Sequence, residues 1–401
     1  MPAFVFPGQG SERPGMGTPW TGHPSWEVVE EASKAAGRDV GRLLLDATAG
    51  ELAETRNAQL STFTISLVVL DAVERLGIEP TGVAGHSVGE YTALAASGAL
   101  GFEDAVRVVA ERGEAMQAAA DAHPGVMAVV SGCDADTVDI ACRLADGDVW
   151  VANYNSSEET VIAGSPGAVA RAEGLARELG ASKVGPVAAG GAFHTSYMRP
   201  ARDRLQKAIS MTPFYEAETP VVTNVDALPH VGAADWASLL CAQLCNPVRW
   251  RQSLLRLGGL SDRGTDTERL FVELGPGDSL TTMVRHTLPS VATATVSVPA
   301  DLDRLVDAVS GDTALHTYAL VHQGEQLYVS ERVVISPGPG IFEPAPHLDG
   351  DAGVDIQVGT LIGTVGSSEV RSPFAGRLEG VLAHRGERVQ TGQPIAWLHA
   401  S

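Results

Sequence analysis

Gly85-His86-Ser87-Val88-Gly89 lies between a short apolar stretch, Val83-Ala84, and an apolar-periodic run through Tyr91, Leu94, Ala95 and Leu100 that reads as a helix. A strand-to-helix turn of this kind needs glycine on both sides, so that the backbone can bend sharply and hold a hydroxyl above a sheet. The pattern nominates Ser87 as a nucleophile. Backbone N–H groups at the start of the following helix, Val88 first, stand where an oxyanion would form. Glycine-flanked serines also occur in ordinary turns, so the other residues of the chain have to decide.

The 401-residue chain exceeds the usual single-domain size, and two or more domains are expected. A formal charge of −21 argues against nucleic acid and anionic membrane as partners, since both would be repelled. Lys34, Lys183 and Lys207 are the only lysines. Of the four cysteines, Cys241 and Cys245 sit C-x-x-x-C in an apolar helical stretch with no histidine nearby, so they read as core and no metal site is expected. A reduced, cytoplasmic setting is the simpler reading of free cysteines. Met1-Pro2-Ala3-Phe4-Val5-Phe6-Pro7 lacks the basic and long apolar regions of a signal peptide, and no stretch reads as a membrane span.

From Phe4 to about Ala122, short apolar strands alternate with amphipathic helices, the pattern of an α/β layered domain. Between about Val126 and His194, strands at Val126–Val130, Val149–Asn153 and Thr160–Gly164 alternate with helical runs over 134–145 and 166–179, which suggests a small inserted subdomain. The last eighty residues or so differ in kind, being rich in Gly, Pro and β-branched residues, and they repeat internally. Ser336-Pro337-x-x-Gly340 returns as Ser372-Pro373-x-x-Gly376, and the segment from Ile356 to Ile362 returns from Val389 to Ile395. Two similar β-rich halves imply a small quasi-symmetric barrel.

A serine nucleophile needs a base, and eleven histidines are candidates. His194 stands out because the stretch Ala188-Ala189-Gly190-Gly191-Ala192-Phe193 before it is lined with small residues that leave room for a substrate. In the helix expected from about Glu103 to Ala120, Ala105, Val109, Arg112 and Met116 recur at steps of four, three and four, so Arg112 projects from the apolar face. A guanidinium buried there needs an anion. That anion is either a carboxylate of the protein itself or the carboxylate of a substrate held by a bidentate clamp.

Together these residues resemble a known family. Phe6-Pro7-Gly8-Gln9-Gly10, Gly85-His86-Ser87-Val88-Gly89-Glu90-Tyr91, Arg112-Gly113-x-x-Met116-Gln117, Asn153-Tyr154-Asn155-Ser156, Ala192-Phe193-His194, Gln243-Leu244-x-x-Pro247-Val248-Arg249-Trp250 and Glu273-Leu274-Gly275-Pro276-Gly277 are similar to motifs of the malonyl-CoA:acyl carrier protein transacylases and the acyltransferase domains of fatty-acid and polyketide synthesis. The resemblance covers roughly residues 1–300. It implies a large hydrolase-like α/β subdomain with a small ferredoxin-like insertion at about 124–193. It further implies that Ser87 is acylated by malonyl-CoA and that His194 is the base, oriented by a backbone carbonyl near Gln243 to Asn246 in place of an acid. The amides of Gln9 and Val88 would form the oxyanion hole, Arg112 would hold the malonyl carboxylate, and Gln59, Asn155, Phe193 and Gln243 would line the pocket. The partner so implied is an acyl carrier protein. Val88 and Phe193 go with malonyl rather than methylmalonyl units in related polyketide domains.

Two departures touch the pocket. Where the family carries Gln-Pro this chain reads Gln59-Leu60, and near Asn155 the family's Pro and Gln appear as Ser157 and Glu159. Glu159 then stands either in solvent or toward the pocket, where a carboxylate disfavours a charged acyl group. Because carrier protein and enzyme are both acidic, docking needs a local basic surface, for which Arg199, Arg202, Arg204 and Lys207, with Arg249, Arg251 and Arg256, are the candidates. Residues 331–401, after a linker at 301–330, resemble biotinyl/lipoyl carrier domains, but the hairpin tip Gly366-Ser367-Ser368-Glu369 offers no lysine and none follows Ala300. No biotin or lipoate is expected, which leaves a docking role toward another synthase or carboxylase subunit. A hydrolase of the same fold and a scaffold with vestigial transfer are the competing readings.

Overall fold

The computed structural model describes residues 2–260, 270–310, 331–346, 354–373 and 375–399. Of the linker expected at 301–330, Asp301–Ser310 is instead a helix whose Leu302 and Leu305 pack into the main core, and 311–330 lie outside the described residues. The chain divides into two compact units, Met1–Thr313 and Ala314–Ser401.

The first unit is built on a six-stranded sheet. Ala3–Phe6, all four residues buried, runs parallel between Val83–Gly85 and Leu270–Leu274. Ala292–Val296 and Val221–Val222 extend the parallel array on either side, and Pro229–His230 closes one edge antiparallel. The short, apolar central strands Ala3–Phe6 and Val83–Gly85, buried throughout, are what a sheet covered on both faces requires. Thr55–Glu74, buried on nearly every side, and Phe102–Ala122 are the long helices of this unit. At Gly113 a methyl group would stand 2.9 Å from the Arg56 Cα, so glycine there lets the two helices close together and brings Arg112 against Gln59.

Because the first two parallel strands are neighbours, the loops that leave their carboxyl ends lie side by side; the His86 N–H donates to the Phe6 carbonyl at 3.0 Å. This crevice outside the strand ends is where open α/β sheets bind ligands. It holds Gln9 and Ser87.

The insertion is a four-stranded antiparallel sheet in the order Val149–Tyr154, Glu159–Gly164, Val126–Ser131, Lys183–Val187, with helices Ala135–Leu144 and Pro166–Glu178 packed on it in a separate core. The second unit consists of two four-stranded sheets with their own apolar core, centred on Phe342, Ile362, Leu378 and Ile395. Its repeat is visible in hydrogen bonds. Ser336 N–H donates to Gln393 O at 2.8 Å and Gly392 N–H to Ser336 O at 2.9 Å, while Ser372 N–H donates to Thr360 O at 2.8 Å and Gly359 N–H to Ser372 O at 2.7 Å. Each Ser-Pro segment is thus paired with one glycine turn. The two turns are the repeated ones.

Candidate active site

Ser87 sits between strand Val83–Gly85 and helix Gly89–Ala96 with φ of 53°, a left-handed conformation that costs a non-glycine residue about 1–2 kcal/mol. Gly85 and Gly89 make the bend possible: a Cβ on Gly85 would lie 1.8 Å from the Gly89 carbonyl oxygen, and one on Gly89 would lie 2.2 Å from that of Phe6. His194 is the second strained residue, with φ of 59°, and is only 4% exposed. Its Nε2 lies 2.9 Å from Ser87 Oγ and its Nδ1 lies 2.9 Å from the Gln243 carbonyl oxygen. A carbonyl only accepts, so Nδ1 carries the proton and Nε2 presents its lone pair to the serine. The Gln243 carbonyl is free to do this because the helix Trp236–Gln243 ends there and its last carbonyls have no intrahelical partner. Cys245, expected within that helix, lies just past its end for the same reason.

Arg112 is 0% exposed. One guanidinium nitrogen donates to Gln59 Oε1 at 2.5 Å; the other donates to Gln243 Oε1 at 2.9 Å and to Ser87 Oγ at 3.1 Å. Its Cζ stands 5.3 Å from the centre of the Tyr91 ring. Every one of these hydrogen-bond partners is neutral, and no carboxylate among the described residues forms an ion pair with it. The positive charge is therefore buried beside Ser87 without a direct ion-pair partner, and the Glu90 carboxyl acts on it from across the Gln243 amide. Leu60 leaves the helix continuous through Gln59, whose amide still meets Arg112.

Burial, assisted by the Arg112 charge, pushes the His194 imidazole down to about 3, so it is a neutral base throughout the physiological range. The pH profile of kcat/KM, which reports the free enzyme, should show no inflection near 6.5 and stay free of an imidazole limb down to about pH 5. Activity falling through a midpoint near 6.5 contradicts this arrangement.

The backbone N–H groups of Val88 and Gln9 find no acceptor among the described residues. Asn155, 4% exposed, donates from Nδ2 to Glu159 Oε1 at 2.9 Å, which turns its Oδ1 toward His86 Nε2 at 3.2 Å. Glu159 is thus half-buried, with its carboxylate held by Asn155. His86 in turn packs edge-on to Trp250 at 5.5 Å, and burial lowers its imidazole to about 4. Phe193 is packed into the main core at 5% exposure, and no polar contact ties it to Ser87.

A groove of about 540 Å³ reaches His194 between Val149–Tyr154 and Cys245-Pro247, and a second of about 480 Å³ is lined by Ser156, Ser157, Arg249 and Arg251. The basic surface expected from the sequence is thinner than its arginine count suggests. Arg202 pairs with Asp203, and Arg204 pairs with Glu111 on the Phe102–Ala122 helix.

Two residues at the site were missed by sequence reasoning. Asn224 Oδ1 accepts from the Ser87 N–H at 2.8 Å and its Nδ2 donates to Gly85 O at 2.7 Å. Glu90 Oε2 accepts from Gln243 Nε2 at 2.8 Å and from the Asn224 N–H at 3.0 Å. A polar residue directly after the short strand Val221–Val222, at the carboxyl edge of the sheet, was the available signal for Asn224.

A hydroxyl activated by a tautomer-locked imidazole, beside two free amides and a buried cation, is the equipment of covalent acyl chemistry on an anionic acyl group. Comparison with known proteins agrees with that class. The acyl transferase domain model matches residues 3–318, and the chain belongs to that family. The malonyl CoA-acyl carrier protein transacylase of Bacillus subtilis strain 168 is 35% identical over 312 residues, 77% of this chain and 96% of that protein. Among solved structures, the malonyl-CoA:acyl carrier protein transacylase of Xanthomonas oryzae pv. oryzae superposes with a TM-score of 0.72 at 36% identity, covering 76% of this chain and 97% of its own. A malonyl-transacylase in complex with its holo type II polyketide acyl carrier protein matches with a TM-score of 0.71 at 33% identity, over 77% and 99%.

Proposed function

We infer that this acyltransferase moves a malonyl group from malonyl-CoA to the phosphopantetheine thiol of an acyl carrier protein, in fatty-acid or polyketide synthesis, through a malonyl ester on Ser87. The observation that supports it most is Arg112, a buried guanidinium beside Ser87 with neutral partners only. It meets the free carboxylate of a malonyl group, which acetyl-CoA lacks.

In the first half-reaction His194 Nε2 takes the Ser87 proton as Oγ attacks the thioester carbonyl. The oxyanion rests on the amides of Gln9 and Val88. The C–S bond then breaks, and His194 gives its proton to the departing CoA thiolate. In the second half the carrier thiol loses its proton to His194 and attacks the ester carbonyl, and Ser87 leaves as the hydroxyl with that proton. The malonyl carboxylate also neutralises the nearest charge that depresses His194, so the base strengthens when the correct substrate is bound.

In this reading the domains are an acyltransferase over 1–300, with a ferredoxin-like insertion at about 124–193, and a C-terminal module over 331–401. That module is a biotinyl/lipoyl-like barrel that serves as an unmodified docking element. The hairpin Leu361–Val365 to Ser368–Arg371 turns at Gly366-Ser367, where those carriers hold their lysine and this chain has none.

Incubation with malonyl-CoA and holo acyl carrier protein is expected to give malonylated carrier. Release of free malonate with the carrier unchanged makes the chain a hydrolase instead.

A further inference from the structure

Glu90 takes no part in the chemistry written above, yet it is 1% exposed directly beneath the turn that carries Ser87. We propose that Glu90 is a positioning residue for the acyl transfer, whose one accepting oxygen fixes Asn224 and Gln243, and through them Ser87, His194 and Arg112. The proposal rests on Ser87 being the nucleophile.

The first branch runs through Asn224. Its side chain bridges the strained turn, accepting from the Ser87 N–H and donating to the Gly85 carbonyl, so both buried backbone groups flanking the bend are satisfied by one amide. The Asn224 N–H is itself held by Glu90 Oε2 at 3.0 Å.

The second branch runs through Gln243 and decides which way round its amide sits. Nε2 donates to Glu90 Oε2 at 2.8 Å and to the Ser87 carbonyl at 2.9 Å, which leaves Oε1 for Arg112 at 2.9 Å. Glu90 Oε2 is the accepting oxygen that faces this amide, so it sorts the amide's two ends. Without it, the NH2 end can turn toward the guanidinium and push it off station. The same residue carries the carbonyl on His194 Nδ1, so nucleophile, base and clamp all trace back to one buried oxygen.

Burial lifts the Glu90 carboxyl to about 7 against the opposing pull of those hydrogen bonds and of the Arg112 charge, and acid and ion alike present an accepting oxygen. The role is therefore geometric. Glu90→Gln retains an accepting oxygen in the same shape, whereas Glu90→Met matches the length without a strong acceptor.

The test is single-turnover malonylation of the full chain, read by intact mass after rapid quench, with malonyl-CoA and acetyl-CoA compared, and melting curves to establish that each variant is folded. Glu90→Met is expected to acylate about 10–100-fold more slowly and to lose much of its preference for malonyl-CoA, while Glu90→Gln stays within about threefold of the parent. A merely structural role does not move the malonyl preference. The proposal is overturned if folded Glu90→Met keeps the parent rate and preference, or if Glu90→Gln falls as far as Glu90→Met. Absence of any adduct on the parent chain is a separate failure, that of the Ser87 assignment.

Discussion

His194→Ala is expected to slow acylation of Ser87 by a factor on the order of 10⁵, the largest single-residue effect in the molecule apart from loss of Ser87 itself. The reason lies in how completely the imidazole is committed. Its Nδ1 proton is spent on the Gln243 carbonyl at 2.9 Å, its Nε2 lone pair faces Oγ at 2.9 Å, and burial keeps it neutral. No second titratable group reaches Ser87 Oγ among the described residues except Arg112, which has no proton to lose at ordinary pH. The left-handed φ of 59° at His194 gives an independent check, because alanine tolerates that backbone poorly and a small loss of stability should accompany the loss of rate. Stopped-flow measurement of CoA release separates the two. Stability lost with the rate intact would place the proton transfer elsewhere.

Arg112→Ala is expected to lower malonyl transfer by about 10²–10³-fold, the scale of truncating one member of a buried, hydrogen-bonded charge pair. Acetyl-CoA should lose far less and rise in relative use, so that the two donors approach or cross in kcat/KM. Two physical effects push in that direction. The anion loses its partner, and the charge that depresses His194 disappears, which favours proton transfer for an uncharged donor. Selectivity that is unchanged in a folded variant contradicts the clamp.

The turn at Ser87 was legible because its chemistry is local: a short apolar strand, glycines on both sides and a helix, all within a dozen residues. Arg112 was legible because helical periodicity is also local, and the structure puts Ala105, Val109, Arg112 and Met116 on one buried stripe. What periodicity left open was whether a protein carboxylate meets that guanidinium. That question is settled only by elements distant in sequence, the Gln59 and Gln243 amides, 53 and 131 residues from Arg112. Glu90 and Asn224 were illegible for the same reason, being joined across 134 residues by a single hydrogen bond.

Surface charge misled in the opposite direction. Arg204 counted as a free cation until Glu111, 93 residues earlier, came to meet it. Glu159, which the sequence left either in solvent or toward the pocket, has its carboxylate taken up by Asn155. The C-terminal repeat was visible in the sequence as recurring Ser-Pro and glycine segments. Its cross-pairing, with Ser336 on the Gly392 turn and Ser372 on the Gly359 turn, needed the structure.

The central claim is that Ser87 carries the malonyl group between two thiols. Intact-mass spectrometry of the chain after brief exposure to malonyl-CoA, followed by peptide mapping, tests it most directly. The account predicts one malonyl adduct, located on Ser87, absent in Ser87→Ala and discharged on adding holo acyl carrier protein. An adduct on another residue, or malonyl transfer that persists in Ser87→Ala, contradicts it.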